Sequence, residues 1–220
     1  MCFGVVLVGG CLRERVRDLP PQYQVQRGDT LYSIAWRFNV PLEKLASWNQ
    51  LGPPYTIYPG QRLNLGQPGV PVRGSGGSVA TGAADGATDV PPDPGEPPLA
   101  WQWPTDGAVI KRFNEIDASK AGIEIRGETG QPIRAAAPGK VVYSGNSLKG
   151  YGELIIIKHN EAYLSAYAYS RVRLAQEGEQ VEAGQPIAEL GRPDSQPPTL
   201  HFEIRHFGRP VDPLLHLPAR

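Results

Sequence analysis

Thr199-Leu200-His201-Phe202-Glu203-Ile204-Arg205 alternates polar and apolar residues without a break, the period of a half-buried strand. Leu200, Phe202 and Ile204 point to one face. Thr199 and His201 share the other, about 7 Å apart along the strand. A His-x-His pair at this spacing is able to hold a zinc ion and a proton-transfer group side by side. Here the second histidine is present and threonine occupies the first position. That sheet strand, and its missing histidine, organise the reading of the remaining chain.

Around it, residues 101–220 read as one unit of many short strands. Lys140-Val141-Val142-Tyr143 follows the Pro138-Gly139 turn, and Tyr163 to Tyr169 alternates. Ile187-Ala188-Glu189-Leu190 follows the Ala183-Gly184 turn. Strands punctuated by Gly and Pro, with no interleaved helices, indicate an antiparallel sheet or sandwich. Leu154-Ile155-Ile156-Ile157 is continuously apolar and rich in β-branched residues, as expected of a central strand covered on both faces.

The unit resembles the LytM-type zinc metallopeptidases, which cleave peptidoglycan cross-bridges. Gly122-Ile123-Glu124-Ile125, Ala137-Pro138-Gly139-Lys140-Val141, Gly150-Tyr151-Gly152, Ile157-Lys158-His159 and Leu200 to Arg205 carry the resemblance. Enzymes of that family hold zinc through a His-x-Gly-x-Asp segment and the second His of His-x-His. The matching positions are Lys120, Glu124 and His201. Two further family histidines match Tyr169 and Thr199, so one of the five positions is unchanged. A catalytic zinc takes three protein ligands and leaves one position open. A lysine ammonium ligates only after losing a proton, against a pKa near 10.4. Without zinc no bound water is acidified toward ~7. The expectation is therefore no catalytic residue, no metal and no cofactor, with Lys120 pairing with Glu124 where the ion would sit. His159 is expected to be structural.

Residues 23–65 form a smaller unit. Tyr23 to Gln26 reads as a strand, and Asp29 or Thr30 is placed to cap a helix carrying Leu31, Ile34, Ala35 and Phe38. Asn39-Val40-Pro41 separates it from a second helix with Leu42, Leu45 and Ala46. Arg62 to Leu65 closes as a strand. The stretch from Tyr23 to Ala35, with Leu45, Trp48-Asn49 and Tyr58-Pro59-Gly60-Gln61-Arg62-Leu63, is similar to the LysM domain, whose members bind N-acetylglucosamine-containing glycans. The resemblance places a sugar groove at Gly28, Asp29, Thr30 and Leu31 and at Ile57, Tyr58 and Pro59. The fold class expected is thus two domains: a small α+β LysM unit (strand–helix–helix–strand) and a mainly β LytM-type sheet domain.

Residues 66–100 are rich in Gly, Pro, Ala, Ser and Thr and show no hydrophobic period, as in a linker. They set no mutual orientation of the two units. Residues 12–22 read as a tether. In residues 1–11 the apolar run Phe3 to Val8 is too short for a bilayer span of about 20 residues and leads into Val8-Gly9-Gly10-Cys11. This resembles a bacterial lipobox with Cys11 as the lipidated residue. Leu12, in place of aspartate, favours the outer membrane. The two cysteines, Cys2 and Cys11, both lie here, so no disulfide staples the folded units. Lys plus Arg equals Asp plus Glu at 22 each, which gives no net field for nucleic acid.

Lipobox, LysM, linker and degenerate LytM unit together resemble the murein hydrolase activator NlpD family. The resemblance implies a non-enzymatic activator of a periplasmic N-acetylmuramoyl-L-alanine amidase. It would be anchored to the membrane at Cys11 on the periplasmic face of the outer membrane, and bound to peptidoglycan through LysM. The amidase would meet the groove of Lys120, Glu124, Tyr151, Tyr169, Thr199 and His201. Two other readings stand beside it: a zinc-dependent endopeptidase using Glu124 and His201, and a purely wall-binding lipoprotein.

Overall fold

A computed structural model describes residues 20–66, 99–114, 121–193 and 196–220. Cys11 and Lys120 lie outside the described residues.

The N-terminal unit runs β1 (Gln22–Gln24), α1 (Leu31–Phe38), α2 (Leu42–Trp48) and β2 (Arg62–Asn64), with β1 and β2 antiparallel. Thr30 is the N-cap of α1. Its hydroxyl accepts from the Ser33 amide and the Ser33 hydroxyl accepts from the Thr30 amide, both at 3.0 Å, which satisfies two otherwise orphaned donors. Asn39, at φ 54°, ends the helix in the left-handed conformation. Val25, Leu31, Ile34, Leu45, Leu63 and neighbouring side chains form this unit's core.

The C-terminal unit is a sheet of antiparallel strands. In chain order these are β3 (Val109–Lys111), β4 (Ile123–Arg126), β5 (Pro132–Arg134), β6 (Gly139–Gly145), β7 (Glu153–Lys158), β8 (Tyr163–Arg173), β9 (Gln180–Val181), β10 (Pro186–Leu190), β11 (Thr199–His206) and β12 (Arg209–Val211). The main path is β3-β4-β11-β8-β7-β6-β9. β10 joins β5 to β8, and β12 pairs with β11. The β11–β12 hairpin turns on Phe207 and Gly208, both at positive φ, as a two-residue hairpin turn of the primed type requires.

β7 sits in the middle of the sheet, and Leu154 to Ile157 are all fully buried. Ile155 and Ile157 face one core with Ile125, Tyr167, Leu200 and Phe202. Leu154 and Ile156 face the other way, with Val142, Ala166 and Ala168. A strand apolar on both faces needs a layer on each. Over the second face that layer includes Trp36, from helix α1 of the other unit.

The two units therefore pack together. The Arg205 guanidinium lies 3.6 Å from the Trp36 ring centroid and donates to the Trp36 carbonyl at 3.2 Å. That carbonyl belongs to the last turn of α1, where acceptors lack intrahelical partners and a cation is favoured. Arg37 donates to the Ser147 carbonyl at 3.1 Å, and the Thr30 hydroxyl to the Val142 carbonyl at 3.3 Å. Gly208 meets the second unit's neighbour so closely that a Cβ there would lie 3.0 Å from Pro41 Cα.

His159 shows why a histidine at a strand end can be structural. Nδ1 is 2.7 Å from the Pro138 carbonyl and Nε2 is 2.7 Å from Ser165 Oγ, which also bonds the buried Tyr167 hydroxyl. A carbonyl only accepts, so Nδ1 carries the proton and Nε2 of the neutral ring accepts the serine hydroxyl. Burial, opposed by the Pro138 carbonyl, pushes the imidazole down to about 4. A histidine buried neutral contributes stability that is complete above its unfolded value near 6.5 and is lost as pH falls toward the folded one. We expect urea denaturation to show a loss on the order of 2–3 kcal/mol between pH 6.5 and 4. His159→Gln should flatten that slope, and an unchanged slope would remove His159 as its source.

Candidate functional site

The polar face of β11 builds the site. With a period of two, Thr199, His201, Glu203 and Arg205 all lie on the face opposite Leu200, Phe202 and Ile204. On one side β4 pairs in register, setting Glu124 beside His201 and Arg126 beside Thr199. On the other side β8 brings Ala168 beside His201, with Tyr169 next in the chain. Tyr169 holds φ 65°, a conformation that costs a non-glycine residue on the order of 1–3 kcal/mol and is found where surrounding structure compels it. Here the Tyr169 amide donates to the Tyr151 carbonyl at 3.0 Å, and the Gly191 amide donates to the Tyr169 carbonyl at 2.9 Å. Gly191 is required at that approach, since a Cβ would meet the Tyr169 carbonyl oxygen at 2.5 Å.

Four of the six sequence-predicted groove residues thus come together. The Tyr151 and Tyr169 rings lie 6.0 and 5.8 Å from the His201 ring, and Glu124 is its cross-strand neighbour. Thr199 sits further along the same face, its hydroxyl donating to the Pro197 carbonyl at 2.8 Å. Lys120 lies outside the described residues. Among the described residues, Lys111 of β3 is a cation on Glu124, 2.8 Å away, because β3 and β4 pair with Lys111 opposite Glu124.

The electrostatic centre is Glu203. It is fully buried and accepts from Tyr151 Oη at 2.9 Å and His201 Nε2 at 3.0 Å on one oxygen. Arg205 Nε and Nη2 donate to the other, both at 3.2 Å. Burial alone would raise the carboxyl. The Arg205 charge, the His201 contact and the Tyr151 hydroxyl together outweigh it and hold Glu203 below the usual carboxylate range. The Tyr151 phenol is pushed up, by burial first and then by the Glu203 charge, so it is a donor at neutral pH. The chain Trp36–Arg205–Glu203–His201/Tyr151 therefore runs continuously from the first unit into the groove.

Zinc fits this donor set poorly. Zinc ligands in proteins are thiolate, imidazole and carboxylate. At the five family positions the described donors are one imidazole whose Nε2 is committed to Glu203, one carboxylate held by a lysine, a phenol and a hydroxyl. Among the described residues no three His, Cys, Asp or Glu side chains converge to hold a metal ion.

Glu203, Arg205, Lys111 and Trp36 were not among the expected site residues. The first two were legible: they continue the alternation of Thr199 and His201 on the polar face. Trp36 gave one signal, a large aromatic off the Leu31–Ile34–Phe38 stripe of α1.

At the predicted sugar groove, the Asp29 side chain is fully buried and takes the Tyr23 hydroxyl at 2.7 Å, the Gln26 amide at 2.8 Å and Arg37 at 3.4 Å. It braces the turn. Leu31 is buried in the core. Thr30, Leu31 and Ile57 line a cleft at the seam between the units. Tyr58 is exposed, as are Gly28 and Pro59. No helix among the described residues is long and apolar enough to cross a membrane.

Comparison with known proteins gives the same two units. Residues 23–66 match the LysM domain and residues 118–213 match Peptidase family M23. A lipoprotein NlpD/LppB homolog of Pseudomonas aeruginosa is 44% identical over 236 residues, covering 90% of this chain and 77% of that protein. The uncharacterized lipoprotein YgeR of Escherichia coli is 40% identical, covering 98% and 90%. The murein hydrolase activator NlpD of Salmonella typhimurium is 37% identical, covering 90% and 68%. Similarity of this extent across both units places the chain, which joins a LysM domain to an M23 domain: it belongs to the NlpD family.

Proposed function

We propose that this protein is a non-enzymatic activator of a periplasmic N-acetylmuramoyl-L-alanine amidase, held at peptidoglycan by its LysM domain and at the outer membrane by lipid on Cys11. The observation that carries the non-enzymatic part is that three of the groove's polar groups are engaged by neighbouring side chains. His201 and Tyr151 serve Glu203, and Glu124 serves Lys111. Of these groups the His201 Nδ1 is left buried without a hydrogen-bond partner among the described residues, and one imidazole nitrogen falls short of the three protein ligands that a catalytic zinc takes. Names of relatives support the activator part: similarity over 90% of the chain extends to proteins called murein hydrolase activators. The partner surface we assign is the groove itself. Glu124, Tyr151 and Tyr169 form its half-buried rim, Thr199 and His201 its buried floor, with Lys120 adjoining in sequence. A segment of the amidase that blocks its own active site would be captured there, and the amidase would shift to its open state by the difference in affinity.

Dye release from labelled sacculi tests this. The full chain alone should release nothing, with or without chelator and added zinc. With a periplasmic amidase from the same organism, release should rise at least tenfold over amidase alone. Zinc-dependent release by the chain alone would overturn the reading in favour of an endopeptidase. Binding to sacculi with no effect on any amidase of that organism would reduce it to wall binding.

A further inference from the structure

The LysM groove does not face solvent alone. A cleft of about 640 Å³ lies on the seam, with Thr30, Tyr32 and Pro53 to Ile57 on one side and Lys140 to Val142, Lys158, Glu161, Glu177 and Gly178 on the other. Its volume falls in the ~300–1,000 Å³ range of small-molecule sites. The geometry is set by docking: the Thr30 hydroxyl that caps α1 also reaches the Val142 carbonyl across the seam. Tyr32 and Tyr55 stand edge to face with centroids 6.1 Å apart and give the LysM side an aromatic surface. The M23 side carries two cations and two anions, Lys140 and Lys158 against Glu161 and Glu177, with Lys158 and Glu161 paired at 2.5 Å.

That balance selects neither anions nor cations. It suits a ligand with many hydroxyl and amide groups and no net charge, whose apolar ring faces stack on tyrosine and whose edges bond to ionised side chains. We propose that the glycan site of this protein is two-walled: an uncharged N-acetylated glycan segment is clamped between the LysM groove and the β6 side of the M23 domain, with Lys140 and Glu177 as its contacts on the second wall. This rests on the reading of the LysM unit as a glycan binder and adds the second domain to the site. It has a thermodynamic corollary. A ligand that touches both walls binds the docked arrangement better, so glycan binding and docking at Trp36 and Arg205 are reciprocally coupled, although Arg205 is not part of the cleft.

The test is calorimetric titration of the full chain with an N-acetylglucosamine pentamer. Three variants are compared with the unaltered protein: Lys140→Ala/Glu177→Ala on the second wall, Ile57→Asp on the LysM wall, and Arg205→Lys at the docking contact. Thermal unfolding is recorded for each. We expect the second-wall variant to bind about tenfold more weakly, equivalent to about 1.4 kcal/mol, with unchanged unfolding. Arg205→Lys should weaken binding by a comparable factor. Affinity of the unaltered chain should vary little with salt, since the ligand is uncharged. If Ile57→Asp abolishes binding while the second-wall variant stays within twofold, the two-walled site is overturned and the LysM reading stands. If the unaltered chain does not bind the pentamer, both are overturned.

Discussion

Arg205→Ala is expected to destabilise the folded protein by about 3–5 kcal/mol at pH 7, the range seen when one member of a buried ion pair is removed. Glu203 has no exposure, and among the described residues its second oxygen accepts hydrogen bonds from Arg205 alone. The same substitution removes one of two donors to the Trp36 carbonyl, leaving the Asn39 amide at 3.2 Å. The pH dependence separates these two losses. With Arg205 present, Glu203 titrates below its unfolded value of about 4.3. Its contribution is therefore fully present above that value and is lost as pH falls through the folded one. Without Arg205 the burial effect is left in command and the carboxyl is raised instead. The penalty of the variant then shrinks as acid protonates Glu203. Urea denaturation of both proteins at pH 7 and pH 4.5 should show a smaller difference at the lower pH. Adding Glu203→Gln to Arg205→Met should recover at least half of the loss, because the amide still accepts from Tyr151 and carries no charge that needs a partner. A difference equal at both pH values would mean that the lost indole contact, and not the stranded carboxylate, sets the cost.

The alternation of Leu200 to Arg205 announced both the strand and its two faces, and the continuous run Leu154 to Ile157 announced the centre of the sheet. These readings rest on local period, which a sequence displays directly. The helix cap was legible to within one residue, Asp29 or Thr30, for the same reason, and the structure selects Thr30, whose donor and acceptor partners lie three residues on. The site was legible only in part. Family positions pointed to Glu124, Tyr169, Thr199 and His201, and the register of β4, β11 and β8 brings them to one face. The partners of those groups were not legible, because cross-strand pairing decides them. Lys111 reaches Glu124 through an irregular β3–β4 register that no spacing reveals. Buried apolar residues on the second face of β7 demanded a covering layer. Nothing in the chain between residues 66 and 100 says that the layer would come from the first unit.

Trp36→Ala is expected to separate the two units' unfolding. Trp36 belongs to the cluster with Val142, Leu154, Ile156 and Ala166, and the LysM core of Val25, Leu31, Ile34, Leu45 and Leu63 is built without it. Truncating a buried tryptophan costs about 3–5 kcal/mol. Most of that falls on docking, and little on either core. Because the units are joined covalently, docking competes against an effective concentration in the millimolar range and not against dilution. A loss of about 3 kcal/mol still lowers the docked-to-undocked ratio by about a hundredfold. Differential scanning calorimetry should then show one transition for the unaltered chain and two for Trp36→Ala, with the LysM unit melting by itself. The amide protons of α1 should exchange faster, since the helix loses its cover. A single transition with an unshifted midpoint would mean that Arg205 and the Thr30–Val142 and Arg37–Ser147 contacts hold the units together without the indole. Two transitions would identify α1 as the element through which the LysM domain and the β11 site sense each other. The indole stacks on Arg205, Arg205 holds Glu203, and Glu203 orients His201 and Tyr151, so releasing the first contact removes a constraint on each of the others.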